Sequence, residues 1–193
     1  MKALIFASNN RHKADEIRAL LNNEFEIITL KEAGIDIDIP EPHDTLSKNA
    51  SEKSSVIFKL TNQDCFSEDS GLEVEALNGA PGVKSARYAG EQSTASENNA
   101  LLLQNMKHIS NRKAIFKTII SLVIDGHEYM FEGTCKGNIA LALNGTGGFG
   151  YDPLFIPDGY EQTFAELGLG VKSAISHRKK AVEQMNEFLK NIS

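Results

Sequence analysis

Residues 3–21 read ALIFASNNRHKADEIRALL, and the order of residue types in this stretch decides the fold class. The apolar run 3–7 predicts a buried strand, which ends at the polar turn Ser8-Asn9-Asn10. Apolar residues then recur at helical spacing up to Leu21, so a helix follows the turn. A strand, a turn and a helix in this order open a β–α unit, and its turn presents backbone N–H groups that attract an anion.

The remaining sequence alternates between strand and helix patterns. Further strands are predicted at 26–30, 65–66, 114–124, 128–137 and 154–156, and further helices at 45–60, 93–106 and 176–189. The pair Asp125-Gly126 predicts a hairpin turn between two of the strands. Residues 68–71 are predicted to form an acidic turn, and residues 157–175 a mobile polar stretch. We therefore expect a single α/β domain over residues 1–193, with a β-rich insertion in its second half.

Composition restricts the class of protein. The chain has 193 residues, of which 41% are hydrophobic and 24% charged, as is typical of a soluble globular protein. Its 20 basic and 26 acidic side chains give a formal charge of −6, which disfavours a nucleic-acid partner. No apolar segment is long enough for a signal peptide or a membrane span, so we expect no membrane partner and a cytoplasmic location. Cys65 and Cys135 are too few for a disulfide framework or a closed zinc site, and we expect two buried thiols.

Two segments carry groups suited to a polyphosphate. Residues 8–13, SNNRHK, combine hydroxyl, amide and ammonium groups with the backbone amides of a helix start. The glycine pattern of a P-loop is absent, so ordinary P-loop ATP chemistry is not indicated. Asn49 and Lys53 are four residues apart in a predicted helix, so their side chains share a face and can meet the same phosphate. Capped helices with solvated side chains contain the same residue types, and this pattern alone leaves both interpretations open.

Acidic residues indicate a site for a hard metal ion. Glu68 and Asp69 are adjacent at the end of a predicted strand, where their repulsion requires a cation or a proton relay. Mg²⁺ commonly binds one or two carboxylates together with substrate phosphates. Glu41, in a proline-flanked loop, is the candidate for a further metal ligand. An acidic turn in water is the alternative interpretation of the same residues.

A glycine-rich turn, GTGGFGYDP at 145–153, is suited to binding a base. Small residues allow the backbone to approach a ligand closely, and Phe149 offers a ring on which a flat base can stack. Asp152 can accept a hydrogen bond from a ring N–H. Lys172 and the run Ser176-His177-Arg178 supply donors, which match the carbonyl at the six position of an oxopurine, whereas the amino group of adenine needs an acceptor.

Taken together, these segments resemble the inosine/xanthosine triphosphate pyrophosphatase family, the HAM1-like proteins. The resemblance runs in order over nearly the whole chain, through SNNRHKADEI (8–17), NASEK (49–53), EDSGLEVEALNGAPGVKSARYAG (68–90), GTGGFGYDPLF (145–155) and KSAISHR (172–178). It implies an elongated, two-lobed α/β fold with a long mixed central β-sheet flanked by helices and an active groove between the lobes. It also implies a homodimer and the Mg²⁺-dependent hydrolysis of ITP, dITP and XTP to the nucleoside monophosphate and pyrophosphate.

The resemblance also implies roles for individual residues. Asp69 is the implied proton acceptor and a metal ligand, Glu41 is the second metal ligand, and Ser70 touches the substrate. Phosphate contacts are implied for Ser8, Asn9, Asn10, Arg11, His12, Lys13 and Lys53. Base contacts are implied for Phe149, Gly150, Tyr151, Asp152, Lys172, His177 and Arg178.

Two positions depart from the family pattern. The family commonly has Glu where this chain has Lys48, and paired aspartates where it has Glu68-Asp69. Lys48 removes a carboxylate that would assist the metal, whereas Glu68 keeps the charge. Two alternatives to the implied activity therefore stay open. One is a Maf-like pyrophosphatase acting on pyrimidine or modified nucleoside triphosphates, and the other is a nucleotide-binding sensor without catalysis.

Overall fold

The computed structural model describes residues 2–21 and 25–192, so Met1 and Ser193, the ends of the expected domain, lie outside the described residues. Strands and helices alternate through most of the chain, as the sequence predicts. The strands are β1 (Lys2–Phe6), β2 (Phe25–Thr29), β3 (Cys65–Val74), β4 (Pro81–Gly82), β5 (Lys113–Ile124), β6 (His127–Ile139) and β7 (Phe155–Pro157). The helices are α1 (Arg11–Leu21), α2 (Leu46–Thr61), α3 (Ala95–Asn105), α4 (Phe164–Ile175) and α5 (His177–Asn191).

The strands form one mixed sheet flanked by helices, in the order β2-β1-β3-β5-β6-β7, with β4 paired to β3. The pairs β1–β2 and β1–β3 are parallel, and the pairs β3–β4 and β6–β7 are antiparallel. Asp125 and Gly126 both have positive φ, 49° and 79°, in the two-residue turn between β5 and β6, which confirms the predicted hairpin. The α/β class and the mixed central sheet expected from the sequence are therefore confirmed.

The chain forms two compact units from interleaved segments. The first unit comprises Met1–Asp69, Thr118–Gly133 and Arg178–Ser193, and the second comprises Ser70–Lys117 and Thr134–His177. Strands β3, β5 and β6 each contribute residues to both units. In the described residues of both units, no helix combines the length and the apolar character needed to cross a bilayer.

The first unit has apolar clusters on both faces of β1, because successive side chains of a strand point to opposite faces. Leu4 and Phe6 belong to one cluster, in which the rings of Phe6 and Phe66 stack with centroids 4.8 Å apart. Ile5 belongs to the other cluster, together with Cys65. This two-sided burial explains why residues 3–6 of β1 form an unbroken apolar run rather than an alternating one.

The second unit has its own core around packed aromatic rings. Phe116 lies 4.6 Å from Phe155 between ring centroids, and Phe155 lies 5.2 Å from Phe164. Cys135 is also part of this core. Both cysteines are buried thiols, as predicted, and burial raises the pKa of the Cys65 thiol to about 12.

Two predicted connections are wrong because regular structure extends through them. Residues 68–71 lie inside the ten-residue strand β3 and do not form an acidic turn after a short strand. The stretch 157–175 contains helix α4. Two glycines weaken the helical pattern there, and Gly168 indeed has non-helical angles, φ 74° and ψ 173°. The reciprocal capping box of Thr163 and Glu166 begins this helix. The pattern Thr-x-x-Glu at 163–166 was the feature of the sequence from which the start of the helix could have been predicted.

Candidate active site

The turn after β1 is organised by its own side chains. The Asn10 Oδ1 atom accepts a hydrogen bond from the Lys13 N–H at 3.1 Å and so caps helix α1. The Asn10 N–H donates to Ser8 Oγ at 3.1 Å, and Asn9 Oδ1 accepts from the Lys31 N–H at 2.9 Å. Asn9, Asn10, Arg11 and His12 are exposed. The predicted phosphate-binding turn is therefore a pre-formed helix N-terminus whose donors face solvent.

Lys13 leaves this turn towards a buried carboxylate. Its Nζ atom lies 3.6 Å from Glu68 Oε2, and the Glu68 side chain is fully buried. Burial lowers the pKa of the Lys13 ammonium, the Glu68 carboxylate partly offsets this, and Lys53 and Arg178 lower it further. A lysine in this setting gains from any additional negative charge, such as a phosphate.

Lys53, on helix α2, joins three groups of the first unit. Its Nζ atom lies 2.6 Å from Glu41 Oε1 and 3.6 Å from Asp69 Oδ1, and it donates to the Glu68 carbonyl oxygen at 3.0 Å. Only 6% of Lys53 is exposed. The structure therefore brings together both predicted metal ligands, Glu41 and Asp69, around one of the predicted phosphate-binding lysines.

Asp69 has the electrostatic setting of a proton acceptor. Burial raises the pKa of its carboxyl group above the ordinary value, although Lys53 and Lys13 act in the opposite direction. The carboxylates of Glu41 and Glu68 raise the pKa further. A carboxylate with a raised pKa is a stronger base than an exposed aspartate, which suits general-base catalysis near neutral pH.

Arg178 is buried and pairs with two carboxylates. Its guanidinium binds Glu68 with two donors, Nη2 to Oε1 at 2.8 Å and Nε to Oε2 at 3.3 Å, and its Nη1 atom donates to Glu16 Oε2 at 2.5 Å. Glu68 also accepts from the Thr118 hydroxyl at 3.3 Å. Arg178 is 1% exposed, and in the first unit it supports the carboxylate that faces Lys13. Its predicted contact with a base stays a prediction.

These side chains form what we call the charged cluster: Lys13, Glu16, Glu41, Lys53, Glu68, Asp69 and Arg178. Four carboxylates and three cations leave it with one net negative charge when all are ionised. Among the described residues, no group of three or more His, Cys, Asp or Glu side chains is arranged to hold a metal ion. The two carboxylates that share Lys53 nevertheless fit Mg²⁺, which commonly takes one or two protein carboxylates and completes its shell with water and phosphate.

Asn49 holds the loop that carries Glu41. Its side chain is fully buried, its Oδ1 accepts from the His43 N–H at 3.0 Å, and its Nδ2 donates to the His43 carbonyl oxygen at 3.2 Å. Asn49 thus clamps the backbone two residues after Glu41, and its predicted phosphate contact stays a prediction. Lys48 is exposed and lines a separate cavity of about 300 Å³ with Glu52 and other residues.

The glycine-rich turn lies in the second unit and is built around a buried ion pair. Lys172 Nζ lies 2.7 Å from Asp152 Oδ2, and both side chains are at most 3% exposed. The same carboxylate oxygen accepts the Phe149 N–H at 2.8 Å. The Lys172 ammonium also lies 4.5 Å from the centroid of the Phe149 ring, a cation–π distance. Phe149 is therefore fixed at its backbone and covered by Lys172 on one ring face.

Gly148 and Tyr151 show how tightly this turn is packed. Gly148 has φ +73°, and a Cβ atom placed on it would lie 2.1 Å from Asp152 Oδ2, so no side chain fits there. Tyr151 is buried in the core of the second unit, and its hydroxyl donates to the Ser85 carbonyl oxygen at 2.8 Å. Tyr151 therefore anchors the turn from within the core.

The other predicted residues of the second unit are Ser70, Gly150 and His177. Ser70 is half-buried and directly follows Asp69 in β3. Gly150 has φ +60° and accepts a hydrogen bond from Asn99 Nδ2 at 2.9 Å. The His177 ring is buried and stacks on Phe116, with centroids 4.6 Å apart and an interplanar angle of 8°.

Sequence reasoning assigned no role to Glu16 and did not identify Asn99. Glu16 is 8% exposed and pairs with Arg178, 162 residues away in sequence, so no local pattern reveals the contact. Asn99 follows another asparagine on α3 and looks like an ordinary surface residue. The only available signal was the same in each case. Helical spacing places a charged or amide side chain on the buried face of the helix.

Comparisons with known proteins agree with the geometry. The family model described as Ham1 family matches residues 4–188. A dITP/XTP pyrophosphatase from Porphyromonas gingivalis is 50% identical over 190 residues, covering 98% of each chain, and one from Flavobacterium johnsoniae is 47% identical over 186 residues, covering 96% of this chain and 97% of the relative. The solved structure of the Staphylococcus aureus Ham1 protein covers 100% of both chains at 37% identity, with a TM-score of 0.90. The chain belongs to the Ham1 family.

Proposed function

We propose that this protein hydrolyses the deaminated purine nucleoside triphosphates ITP, dITP and XTP to the nucleoside monophosphate and pyrophosphate, and so clears them from the nucleotide pool. The observation that carries the proposal is the charged cluster, in which Asp69, with a raised pKa, shares Lys53 with Glu41. The names of the full-length relatives, dITP/XTP pyrophosphatase, support the substrate class.

In this mechanism, the phosphate side is held by residues of the first unit. The triphosphate is bound by Lys13, Lys53 and the donors of residues 8–12. Its negative charge takes over part of the charge compensation that Glu68 gives Lys13 and Glu41 gives Lys53 in the structure. Glu41 and Asp69 would hold Mg²⁺, which when bound neutralises phosphate charge and stabilises the leaving pyrophosphate. The metal requirement is part of the proposal.

Asp69 performs the proton transfer. Its carboxylate accepts a proton from the attacking water as the water oxygen bonds to phosphorus and the P–O bond of the α–β anhydride bridge breaks. General-base help of this kind contributes about 10²–10⁴-fold, so charge stabilisation and positioning supply most of the remaining acceleration. The lysines stabilise the negative charge on the departing pyrophosphate.

The glycine-rich turn and three predicted donor residues recognise the base. The Phe149 ring offers a stacking surface for the base, and the Lys172 ammonium lies 4.5 Å from the ring centroid. Lys172, His177 and Arg178 donate hydrogen bonds to the carbonyl oxygen of the oxopurine. Adenine has an amino group at that position, which is itself a donor, so these side chains would be left without an acceptor. Asp152 orients Lys172 through their buried ion pair. Gly150 and Tyr151 contribute by shaping this turn.

Product analysis with a panel of nucleotides tests the proposal. Each of ITP, dITP, XTP, GTP, ATP, dTTP and UTP is incubated with the protein, with and without Mg²⁺, and products are separated by ion-exchange chromatography. We expect monophosphate and pyrophosphate from the first three, and only with Mg²⁺. Faster hydrolysis of dTTP or UTP would favour a Maf-like activity, and intact ITP after long incubation would favour a sensor without catalysis.

We also propose that residues 1–193 act as one catalytic domain, in a homodimer located in the cytoplasm. The resemblance of the whole chain to HAM1-like proteins supports the dimer, and a substrate drawn from the nucleotide pool supports the location. Multi-angle light scattering tests the dimer, with a mass near 42 kDa expected from the chain mass of 21.1 kDa. A mass of one chain across the micromolar range would contradict it.

A further inference from the structure

Two adjacent asparagines on helix α3 are both 4% exposed but differ in how their amides are used. Asn98 Oδ1 accepts from the Ala89 N–H at 2.7 Å and from the Ser93 hydroxyl at 2.8 Å, and its Nδ2 donates to the Ala86 carbonyl oxygen at 3.0 Å. Asn98 therefore has the satisfied hydrogen bonds of a structural side chain.

Asn99 reaches the glycine-rich turn. Its Nδ2 atom donates to the Gly150 carbonyl oxygen at 2.9 Å. Reversing the amide would place two acceptor oxygens against each other, so this contact fixes the orientation of the side chain. The Oδ1 atom is buried, and no donor reaches it from the part of the chain that the structure describes. An isolated buried acceptor is unfavourable, so leucine, with nearly the same shape, would serve the packing of α3 better.

The position of the Gly150 backbone affects the position of the neighbouring Phe149. Gly150 lies between Phe149, whose ring faces Lys172, and Tyr151, whose side chain is anchored in the core. Its φ of +60° lies in the left-handed region, and without a Cβ atom Gly150 can leave this conformation more easily than other residues could. A donor that fixes its carbonyl oxygen therefore fixes the peptide plane that follows Phe149.

We propose that Asn99 is a positioning residue that sets base selectivity by holding the Gly150 carbonyl and thereby the Phe149 ring. The inference rests on the proposed function, because it assumes that the glycine-rich turn binds the base. Asn99 acts through Gly150 and need not touch the substrate. Loss of its donor lets the turn relax, which weakens stacking and base discrimination but leaves the phosphate side intact.

The test compares Asn99→Leu with Asn105→Leu, which changes an exposed asparagine of the same helix whose amide binds the Tyr88 hydroxyl. For Asn99→Leu we expect the KM for ITP to rise about tenfold, kcat to change less than about threefold, and the ITP-to-ATP preference to fall about tenfold. Pyrophosphate affinity, measured by calorimetry, should change less than about twofold. Asn105→Leu should leave all these quantities within about twofold of the wild type.

The outcomes separate this inference from the proposed function. A wild-type protein that does not hydrolyse ITP contradicts the proposed function. An active wild type with unchanged KM and unchanged base preference in Asn99→Leu overturns the role of Asn99. If Asn99→Leu does not fold, Asn99→Asp answers the same question when assayed at a pH high enough to ionise its carboxyl group, because the carboxylate keeps the shape and an acceptor but has no proton to donate to Gly150. The same rise in KM supports the role, and wild-type values overturn it.

Discussion

At the scale of single residues, the chain places ionisable groups where burial makes them costly. Asp69 has a raised pKa and Lys13 a lowered one, each mainly because of burial. Such groups reduce the stability of the fold. They concentrate at functional sites because catalysis needs shifted pKa values, and the cost in stability is tolerated there. Arg178 differs, since its buried charge is matched by two carboxylates, Glu16 and Glu68.

The first prediction concerns Asp69→Asn. We expect ITP turnover to fall by about 10²–10⁴-fold while ITP binding stays measurable, because the general base is lost and the lysines remain. We also expect a higher melting temperature. The raised pKa means that the ionised carboxylate costs stability at pH values above its ordinary value, and asparagine removes that charge. Each kcal/mol gained raises the melting temperature by about 2–4 °C.

Kinetics and calorimetry check both parts of this prediction. Glu73→Gln is the matched control, because Glu73 is an acidic residue of the same strand that pairs with Lys117 at 3.3 Å. The control should keep its turnover. A near-normal rate in Asp69→Asn would defeat the assigned role, and a lower melting temperature would contradict the electrostatic argument.

The second prediction concerns Arg178→Met. Removing the guanidinium leaves Glu16 and Glu68 buried without their cation, so the free energy of unfolding should fall by about 3–5 kcal/mol. Urea titration measures it. Lys179→Met, which breaks a surface pair with Glu183 at 2.8 Å, should cost less than about 1 kcal/mol. Equal losses of unfolding free energy in the two variants would show that the buried ion pairs of Arg178 contribute no more to stability than the surface pair of Lys179.

At the scale of elements, hydrogen bonds between a helix or strand and the loop beside it place the site. Thr45 caps α2 through its contact with the Lys48 N–H, and from this helix Asn49 reaches back to His43. Arg18 on α1 donates to the Ile27 carbonyl oxygen of β2 at 2.7 Å and to Glu32 at 2.6 Å. These contacts fix the loop that carries Glu41 and the segment beside the predicted phosphate-binding turn.

A third prediction follows from the clamp of Asn49 on His43. Asn49→Leu removes both hydrogen bonds, so the loop carrying Glu41 loosens and its carboxylate is less well placed for a metal. We expect the Mg²⁺ concentration for half-maximal activity to rise about tenfold, measured by titrating Mg²⁺ at saturating ITP. Ser47→Ala, at an exposed position of the same helix, is the control. The same Mg²⁺ requirement in Asn49→Leu and the wild type would contradict the clamp's role.

The fourth prediction concerns pH and Glu32. Hydrogen bonds from the Thr29 N–H, the Thr29 hydroxyl and Arg18 lower the pKa of Glu32 to about 2. A lowered pKa contributes stability that is fully present above the ordinary value of 4.5 and is lost as pH falls towards 2. The difference in unfolding free energy between the wild type and Glu32→Gln should therefore be constant above about pH 5 and shrink below it.

Urea titrations between pH 3 and 7 measure this difference. Glu26→Gln, at an exposed position on β2, is the control and should show no comparable trend. A difference for Glu32→Gln that does not depend on pH would be inconsistent with the lowered pKa.

The sequence predicts elements well where the local pattern is complete and poorly where the deciding contact is distant. The strand, turn and helix of residues 3–21 and the helix predicted at 45–60 follow from local patterns and are confirmed. Helix α4 was missed because Gly168 interrupts its pattern. The roles of Glu16, Asn49 and Asn99 depend on partners that only the folded chain brings near, so spacing alone does not reveal them.

At the scale of the whole molecule, each unit is assembled from separated stretches of sequence. The charged cluster draws on α1, the loop before α2, α2, β3 and α5. Helix α5 also buries four apolar residues in the core of the first unit: Ala181, Val182, Met185 and Leu189. The first unit therefore depends on residues from both ends of the described chain.

The fifth prediction is that deleting residues 178–193 prevents the first unit from folding. Burial of each large apolar side chain contributes about 1.5–3 kcal/mol, and the deletion also removes the cation of Glu16 and Glu68. Near-ultraviolet circular dichroism should show that the aromatic side chains no longer have fixed packing. ITP binding should also be lost. A change of Lys190 and Asn191 to alanine is the control and should fold. A cooperative melt of the truncated chain would refute this dependence.

The position of Arg178 in the sequence has a consequence for biosynthesis. Glu16 and Glu68 emerge from the ribosome long before the guanidinium that neutralises them, because residue 178 follows every other segment of its unit except the rest of α5. Until then, two carboxylates destined for the interior have no arginine to accompany them there, and hydration holds them at the surface of the nascent chain. Because α5 is the last helix of the first unit to be synthesised, Glu16 and Glu68 can pair with Arg178 only after α5 has been made.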